Sequence, residues 1–214
     1  EWAKDALEYL QTDPQYRKNK HKNITFAMTY NHAENYLLPL SYYVISKESK
    51  SLVDRIFGDE WNKFACFRAF IGYMMGHPGK KLLSMGNEVK KIINWQETLQ
   101  GEWNLYGNLK INDDDKMQEF FKDINNLYLK NRAFWELDYN NKGFNWIEAN
   151  NSEQSILIFL RKSRNDKDTL VFVTNFTSKV YYDYRIGVPF LGNYQEVFNT
   201  DDLKYGGSGQ IMGE

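Results

Sequence analysis

Two short apolar runs flank a strongly periodic helical stretch in the first half of this 214-residue chain. Residues 36–40 form the first run, and Pro39 favours the end of a strand over its centre. Asp59 is a typical helix cap, and the apolar 3.6-residue repeat that follows it ends at Gly76. Residues 81–85 form the second run, which we expect to be a buried strand. The order strand, helix, strand predicts a parallel βαβ unit.

The pattern changes near residue 138. Before this point, another helical stretch begins at Asp113 or Asp114 and repeats apolar side chains at helical spacing. After it, short alternating or apolar runs are separated by polar turns, which is typical of an antiparallel β domain. The predicted strands are 144–147, 156–160, 170–173, 181–186 and 194–198. We therefore predict an α/β part over residues 1–137 and an all-β part over residues 138–214.

Charge and composition restrict the possible partners. The 27 basic and 28 acidic residues give a formal net charge of -1, so no broad positive field would attract a phosphate backbone, and we expect no nucleic acid partner. A neutral ligand such as carbohydrate fits better. No apolar stretch approaches the ~20 residues that cross a bilayer, and the first residues resemble a charged helix more than a signal peptide. We expect no membrane partner and a cytoplasmic location.

The cysteine and histidine residues give no sign of a metal site or a disulfide. Cys66, the only cysteine, lies inside the periodic helix and is expected to pack in the core. His77 lies in the turn that ends this helix, and His21 lies among lysines. Neither has a second ligand at metal spacing. We predict no metal, and the sequence gives no support for a nucleotide or flavin cofactor.

Several segments, taken in order, closely resemble the C-terminal third of glucan (glycogen) branching enzymes, which are members of the alpha-amylase superfamily. The matching segments are 37–41, 54–65, 78–88, 155–159, 175–177, 184–187 and 199–201. The resemblance covers nearly the whole chain. It implies that residues 1–137 form the last strands and helices of an incomplete (β/α)8 barrel. It also implies that residues 138–214 form most of a C-terminal antiparallel β-sandwich domain.

The resemblance breaks down at one point of the candidate site. In that family, the segment after Leu-Pro-Leu-Ser reads His-Asp-Glu, and the Asp is a catalytic carboxylate. Here these places hold Tyr42, Tyr43 and Val44. A tyrosine can hydrogen-bond a sugar hydroxyl, but with a reference pKa of about 10 it carries no negative charge at neutral pH. Tyr42 and Tyr43 could pack at a strand end, keep a sugar contact or take a new polar role.

Four further residues are candidate substrate contacts. Asn87 and Glu88 follow the second strand, where barrel enzymes place reacting groups, but they could equally cap the next turn or pair with a lysine. Trp95 and Trp103 lie in a polar, loop-like stretch, where their rings could stack on sugar faces or pack against a helix. Lys90 and Lys91 stand where the family has uncharged residues.

The resemblance implies part of a 1,4-α-glucan branching enzyme, which transfers α-1,4-glucan segments to α-1,6 branch points. The family's nucleophile and acid come from earlier strands that this chain lacks, so we assign no catalytic residue and expect the chain alone to be inactive. The expected partners are an α-1,4-glucan, glycogen or amylose, and either the missing N-terminal barrel half or another subunit. The alternative is a non-catalytic glucan-binding or scaffold homologue.

Overall fold

The computed structural model describes residues 2–31, 33–40, 52–83, 114–165 and 167–210, without the side chains of residues 114 and 115. The helices of these ranges are α1 (Trp2–Gln11), α2 (Lys22–Thr25), α3 (Leu52–Arg55), α4 (Glu60–Gly76) and α5 (Asp114–Lys130). The strands are β1 (Leu37–Leu40), β2 (Lys80–Leu83), β3 (Phe144–Glu148), β4 (Ile156–Lys162) and β5 (Thr169–Asn175). Short 3-10 helices occupy Pro14–Lys20, Phe26–Thr29, Arg132–Phe134, Asn141–Gly143 and Leu203–Tyr205. None of the helices in these ranges has both the length and the apolar character needed to cross a membrane.

The first half contains the parallel unit that the sequence predicts. Strands β1 and β2 pair in parallel, with Leu37 opposite Lys80 and Leu40 opposite Leu83, and α4 lies between them in the chain. On β1, Leu38 and Leu40 are buried in the core. The expectation that the second strand is buried is wrong, because its side chains alternate between exposed and half-buried. Within the described residues this sheet has only two strands, so the edge of β2 that faces away from β1 has no neighbouring strand there.

Helix α4 lies at the centre of the fold. It begins where the sequence predicts, because the Asp59 carboxylate accepts a hydrogen bond from the Asn62 backbone N–H at 2.8 Å. It ends at Gly76, also as predicted. From Phe67 onwards most of its residues are buried. The 3.6-residue repeat predicts one apolar face, but here the helix is buried on most sides. A helix of this kind is enclosed by other elements of the fold.

The second half contains a three-stranded antiparallel sheet in the order β3-β4-β5, which confirms the three strands predicted between residues 144 and 173. The inner face carries three aromatic rings in a row. Phe144 stacks on Phe159 with ring centroids 5.2 Å apart, and Phe159 stacks on Phe172 at 4.8 Å. These rings join α1, α4 and α5 in one continuous hydrophobic core. Cys66 packs against this core, as predicted.

Two predicted strands are absent from the structure. Residues 181–186 and 194–198 form no strand, and residues 180–198 are instead an irregular segment with turns and bends, which we call the arch; much of it lines a cavity that β5 also lines. Alternating side chains favour a strand, but a strand also needs a neighbour at about 4.8 Å for its backbone hydrogen bonds. A cavity of about 1550 Å³ separates much of the arch from β5, so this neighbour is too far away. The described part of the expected sandwich is therefore one sheet facing helices.

The contact between α4 and the aromatic row predicts that Gly76→Ala destabilises the protein. In a helix this change usually stabilises by about 1 kcal/mol. Here the new Cβ would lie 2.6 Å from the Phe172 ring and 2.9 Å from the Phe159 ring. We expect the free energy of unfolding to fall by about 1–3 kcal/mol, measured by urea denaturation.

Gly187→Ala is the matched control, because its Cβ would meet nothing closer than 3.8 Å. We expect a change within about 0.5 kcal/mol at this position. A stabilising effect of Gly76→Ala would contradict the observed packing of α4 on the sheet.

Candidate functional site

The candidate site is the sheet edge at which β1 and β2 end. Because the strands are parallel and in register, Leu40 and Leu83 lie opposite each other, and the chain leaves both strands at the same edge. Loops that follow parallel strands at their carboxyl ends carry the reacting groups in α/β enzymes. The predicted site residues follow Leu40 in one segment and Leu83 in the other. The structure therefore places the points from which these two segments start side by side.

The six predicted site residues lie beyond this point in both segments, outside the described residues. They are Tyr42, Tyr43, Asn87, Glu88, Trp95 and Trp103. Their roles in binding sugar therefore stay predictions. The described residues do show what holds β2 in place, and sequence reasoning had not identified those residues.

The start of β2 is fixed by a polar cluster around a buried ion pair, which we call the Arg161 cluster: Arg161 and Asp138, which are buried, with His77 beneath them and Lys80 and Lys81 at its outer side. Arg161 comes from β4 and is fully buried. Its guanidinium donates to the Asp138 carboxylate at 2.8 Å. It also donates to three backbone carbonyls, those of Gly76 at 2.8 Å, Phe134 at 2.9 Å and Gly143 at 3.1 Å.

These bonds join elements from both halves of the chain. The Gly76 carbonyl belongs to the last turn of α4, where unpaired carbonyls give the helix end a partial negative charge that a cation stabilises. The four hydrogen bonds of Arg161 use four of its five guanidinium N–H groups. These bonds offset much of the free-energy cost of burying the positive charge. Burial nevertheless lowers the pKa of Arg161, while Asp138 raises it.

Asp138 connects Arg161 to the turn before β2. Its carboxylate also accepts hydrogen bonds from the Gly79 backbone N–H and from the Lys80 ammonium, both at 3.3 Å. Gly79 has a φ of +109°, a conformation that L side chains rarely adopt. The turn that begins β2 is therefore set by a glycine conformation and held by a buried carboxylate.

Lys81 closes the same turn from the other side. Its amine donates to the carbonyls of His77 at 2.6 Å and Gly79 at 2.7 Å, and it lies 5.3 Å from the centroid of the Tyr128 ring. Burial lowers the pKa of Lys81 to about 7, the nearby Asp138 opposes this shift, and the positive charges of Arg161 and Lys80 add to it.

His77 is fully buried beneath this turn. Its Nδ1 hydrogen-bonds the Pro78 carbonyl at 2.9 Å, so the Nδ1–H form is the one that donates. Burial lowers the pKa of His77 to about 3, although the Pro78 carbonyl favours the charged form. Shifted pKa values often mark catalytic groups, but here the partners are backbone carbonyls. We interpret both His77 and Lys81 as structural. No group of three potential metal-binding side chains occurs in the described ranges.

Comparison with known proteins identifies the β-rich part first. Residues 146–214 match the family model "Alpha amylase, C-terminal all-beta domain". This match confirms the expected all-β character of that part. Residues 146–214 therefore belong to the class of β domains that this model describes, the C-terminal all-beta domain of alpha amylases.

The relatives narrow the assignment. A 1,4-alpha-glucan branching enzyme of Clostridium perfringens strain SM101 is 51% identical over 211 residues, which is 99% of this chain and 31% of the relative. One from Clostridium perfringens strain ATCC 13124 is 46% identical over 213 residues, 100% of this chain and 32% of the relative. One from Francisella tularensis subsp. holarctica strain FTNF002-00 is 45% identical over 211 residues, 99% and 33% respectively.

The chain is therefore homologous, over essentially its whole length, to a portion of the 1,4-alpha-glucan branching enzymes. It spans about a third of the length of these curated relatives. The resemblance expected from the sequence motifs is confirmed.

The Arg161 cluster predicts a large effect of Arg161→Met. The change leaves the Asp138 carboxylate in a site where its side chain is 1% exposed, without its main counter-ion. Removing one partner of a buried pair typically costs about 3–5 kcal/mol, and we expect a loss of this size in the free energy of unfolding. Lys204→Met is the control, since Lys204 and Asp123 form a pair whose side chains are 45% and 33% exposed. Its cost should stay below about 1 kcal/mol. Equal costs for the two variants would contradict the role given to Arg161.

The lowered pKa of Lys81 predicts a pH dependence of stability. Between pH 7 and the ordinary lysine pKa of about 10.4, the unfolded chain holds a proton on Lys81 that the folded chain does not, so stability rises with pH. We expect Lys81 to contribute about 2 kcal/mol of this rise between pH 7 and pH 9. In Lys81→Met this contribution is lost, which urea denaturation at several pH values would measure. Leu82→Met, at an exposed position without a titratable group, should keep the wild-type slope.

Proposed function

We propose that this chain is part of a 1,4-α-glucan branching enzyme, which cuts an α-1,4 bond and rejoins the released segment as an α-1,6 branch. The observation that carries this proposal is the 51% identity over 99% of the chain to a branching enzyme. The substrate would be an α-1,4-glucan such as glycogen or amylose, a neutral polymer that suits a chain with a formal net charge of -1.

The proposal includes a barrel. The parallel pair β1–β2 with α4 between its strands is the repeating unit of a (β/α)8 barrel, and we propose that residues 1–137 supply the last such units. The half-exposed side chains of β2 support this, because they would be covered by further strands and helices. The missing partner is either the earlier half of the barrel or another subunit. Residues 138–214 would be the β domain that follows.

The reaction needs carboxylates from outside this chain. Retaining transfer between glucans uses a nucleophilic carboxylate and an acid about 5 Å apart. In the proposed arrangement both come from earlier strands. The six residues proposed from the sequence would contact sugar: Tyr42, Tyr43, Asn87, Glu88, Trp95 and Trp103. The chain alone would then bind glucan at most, without branching it.

One observation favours a second candidate, a non-catalytic glucan-binding or scaffold homologue. Tyr43 stands where the family has its third catalytic carboxylate, and a neutral phenol cannot stabilise the positive charge that develops on the sugar ring. In this alternative, even a longer protein that holds the two other carboxylates would be almost inactive.

A branching assay separates the two candidates. The assay follows iodine absorbance of amylose incubated with a longer protein that contains this sequence and both upstream carboxylates. If the protein is a branching enzyme, the longer protein with Tyr43 should already branch amylose. If it is the non-catalytic homologue, Tyr43→Asp restores the missing charge and should raise activity by about 100- to 1,000-fold, the effect of one charge-stabilising group. Tyr42→Asp is the matched control and should give no such gain.

Two results would contradict the lost-carboxylate explanation. One is a Tyr43→Asp protein that folds but gains no activity. The other is an unchanged Tyr43 protein as active as the Asp variant. Branching by the 214-residue chain alone would overturn the proposal that its catalytic groups lie elsewhere.

A further inference from the structure

The side chains of β2 specify its register only weakly. The strand has four residues, and their side chains alternate between exposed and half-buried in the described part of the chain. Register is strongly specified where one face of a strand is buried, and a slip of one residue turns every side chain to the opposite face. A contact outside the strand must therefore decide how β2 pairs with β1.

The turn before β2 supplies this contact, because both backbone polar groups of Gly79 are held by side chains. Its N–H donates to the Asp138 carboxylate at 3.3 Å, and its carbonyl accepts a hydrogen bond from the Lys81 amine at 2.7 Å. The next backbone N–H, that of Lys80, donates to the Tyr36 carbonyl at 3.2 Å. A Cβ at Gly79 would lie 3.1 Å from the same Tyr36 oxygen, so the turn lies directly against the start of β1.

Asp138 is itself fixed by Arg161. The Asp138 side chain is 1% exposed, and its Oδ1 accepts hydrogen bonds from the Arg161 guanidinium at 2.8 Å and from the Gly79 N–H. The Lys80 ammonium contacts the other oxygen, Oδ2, at 3.3 Å. Arg161 belongs to β4, the central strand of the antiparallel sheet. One carboxylate therefore ties the turn before β2 to that sheet.

We propose that Asp138, held by Arg161, is a positioning residue for glucan binding: it sets the register of β2 on β1 and so the point from which the segment with Asn87 and Glu88 leaves the sheet. The inference rests on the proposed function, because it takes this segment to bind an α-1,4-glucan. Asp138 lies at the start of β2, about 13 Å of strand before its carboxyl end. It acts through the strand, and a displacement of about 1 Å at a binding group can cost up to about 100-fold in rate.

The test uses a longer protein that contains this sequence and has the length of the relatives. Maltoheptaose is the probe, and its dissociation constant is measured by isothermal titration calorimetry. Asp138→Asn keeps the size of the side chain and removes its charge, and we expect the dissociation constant to rise about tenfold. Asp123→Asn is the matched control, because the Asp123 side chain is 33% exposed and pairs with Lys204, and it should leave the dissociation constant unchanged.

A double-mutant cycle separates positioning from general destabilisation. The contact variant replaces both Asn87 and Glu88 by Ala. If Asp138 acts through these contacts, adding Asp138→Asn to the contact variant should weaken binding less than about twofold, because the groups that it positions are already gone. A further tenfold loss would overturn the inference. Urea denaturation checks that every variant is folded at the temperature of the titration.

Lys80→Met serves if Asp138→Asn does not fold, because it keeps the buried pair and removes only the Oδ2 contact. We expect about a threefold rise in the dissociation constant, and an unchanged value would overturn the inference.

The outcomes separate the inference from the proposed function. A longer protein that does not bind maltoheptaose would overturn both. Binding that the contact variant leaves unchanged would overturn the inference and the role of Asn87 and Glu88, while the proposed function would stand. Binding that the contact variant weakens and Asp138→Asn does not would overturn the inference alone.

Discussion

The structure depends on one buried guanidinium. Arg161 has no contact with solvent, and its bonds reach the end of α4 at Gly76 and three residues of the stretch 134–143, Phe134, Asp138 and Gly143. A charge in such a position is stable only when nearly all its donors have acceptors, so β4, the end of α4 and the stretch 134–143 have little freedom to move apart. The same cluster holds the turn that starts β2. The geometry of the candidate site edge therefore depends on a residue of the other half of the chain.

Local patterns predicted most of the regular elements. The helix that begins after Asp59, the parallel strands on either side of it and the antiparallel strands up to residue 175 all follow from spacing and capping. The Arg161 cluster was missed, because three of the partners of Arg161 are backbone carbonyls and a residue pattern contains no information about them. The only available signal was an arginine directly after the apolar run 156–160.

The arch shows the limit of the same reasoning. Residues 181–186 and 194–198 have strand-like sequences, but a strand forms only beside a partner strand that accepts its backbone hydrogen bonds. The sequence of one segment does not reveal whether such a partner lies next to it. The candidate sugar contacts, from Tyr42 to Trp103, lie outside the described residues. For them the evidence is still the sequence and the homology to branching enzymes.

The shared cluster also affects how such proteins can be recombined. The β-rich part looks separable in sequence, since the alpha-amylase domain match begins at residue 146. Yet Asp138 and the Gly76 carbonyl, which Arg161 requires, lie before that boundary. A chimera joined at residue 146 would inherit the arginine from one parent and its acceptors from another. A chimera should therefore take the β domain, the turn 76–81 and residue 138 from the same parent, although these parts are far apart in the chain.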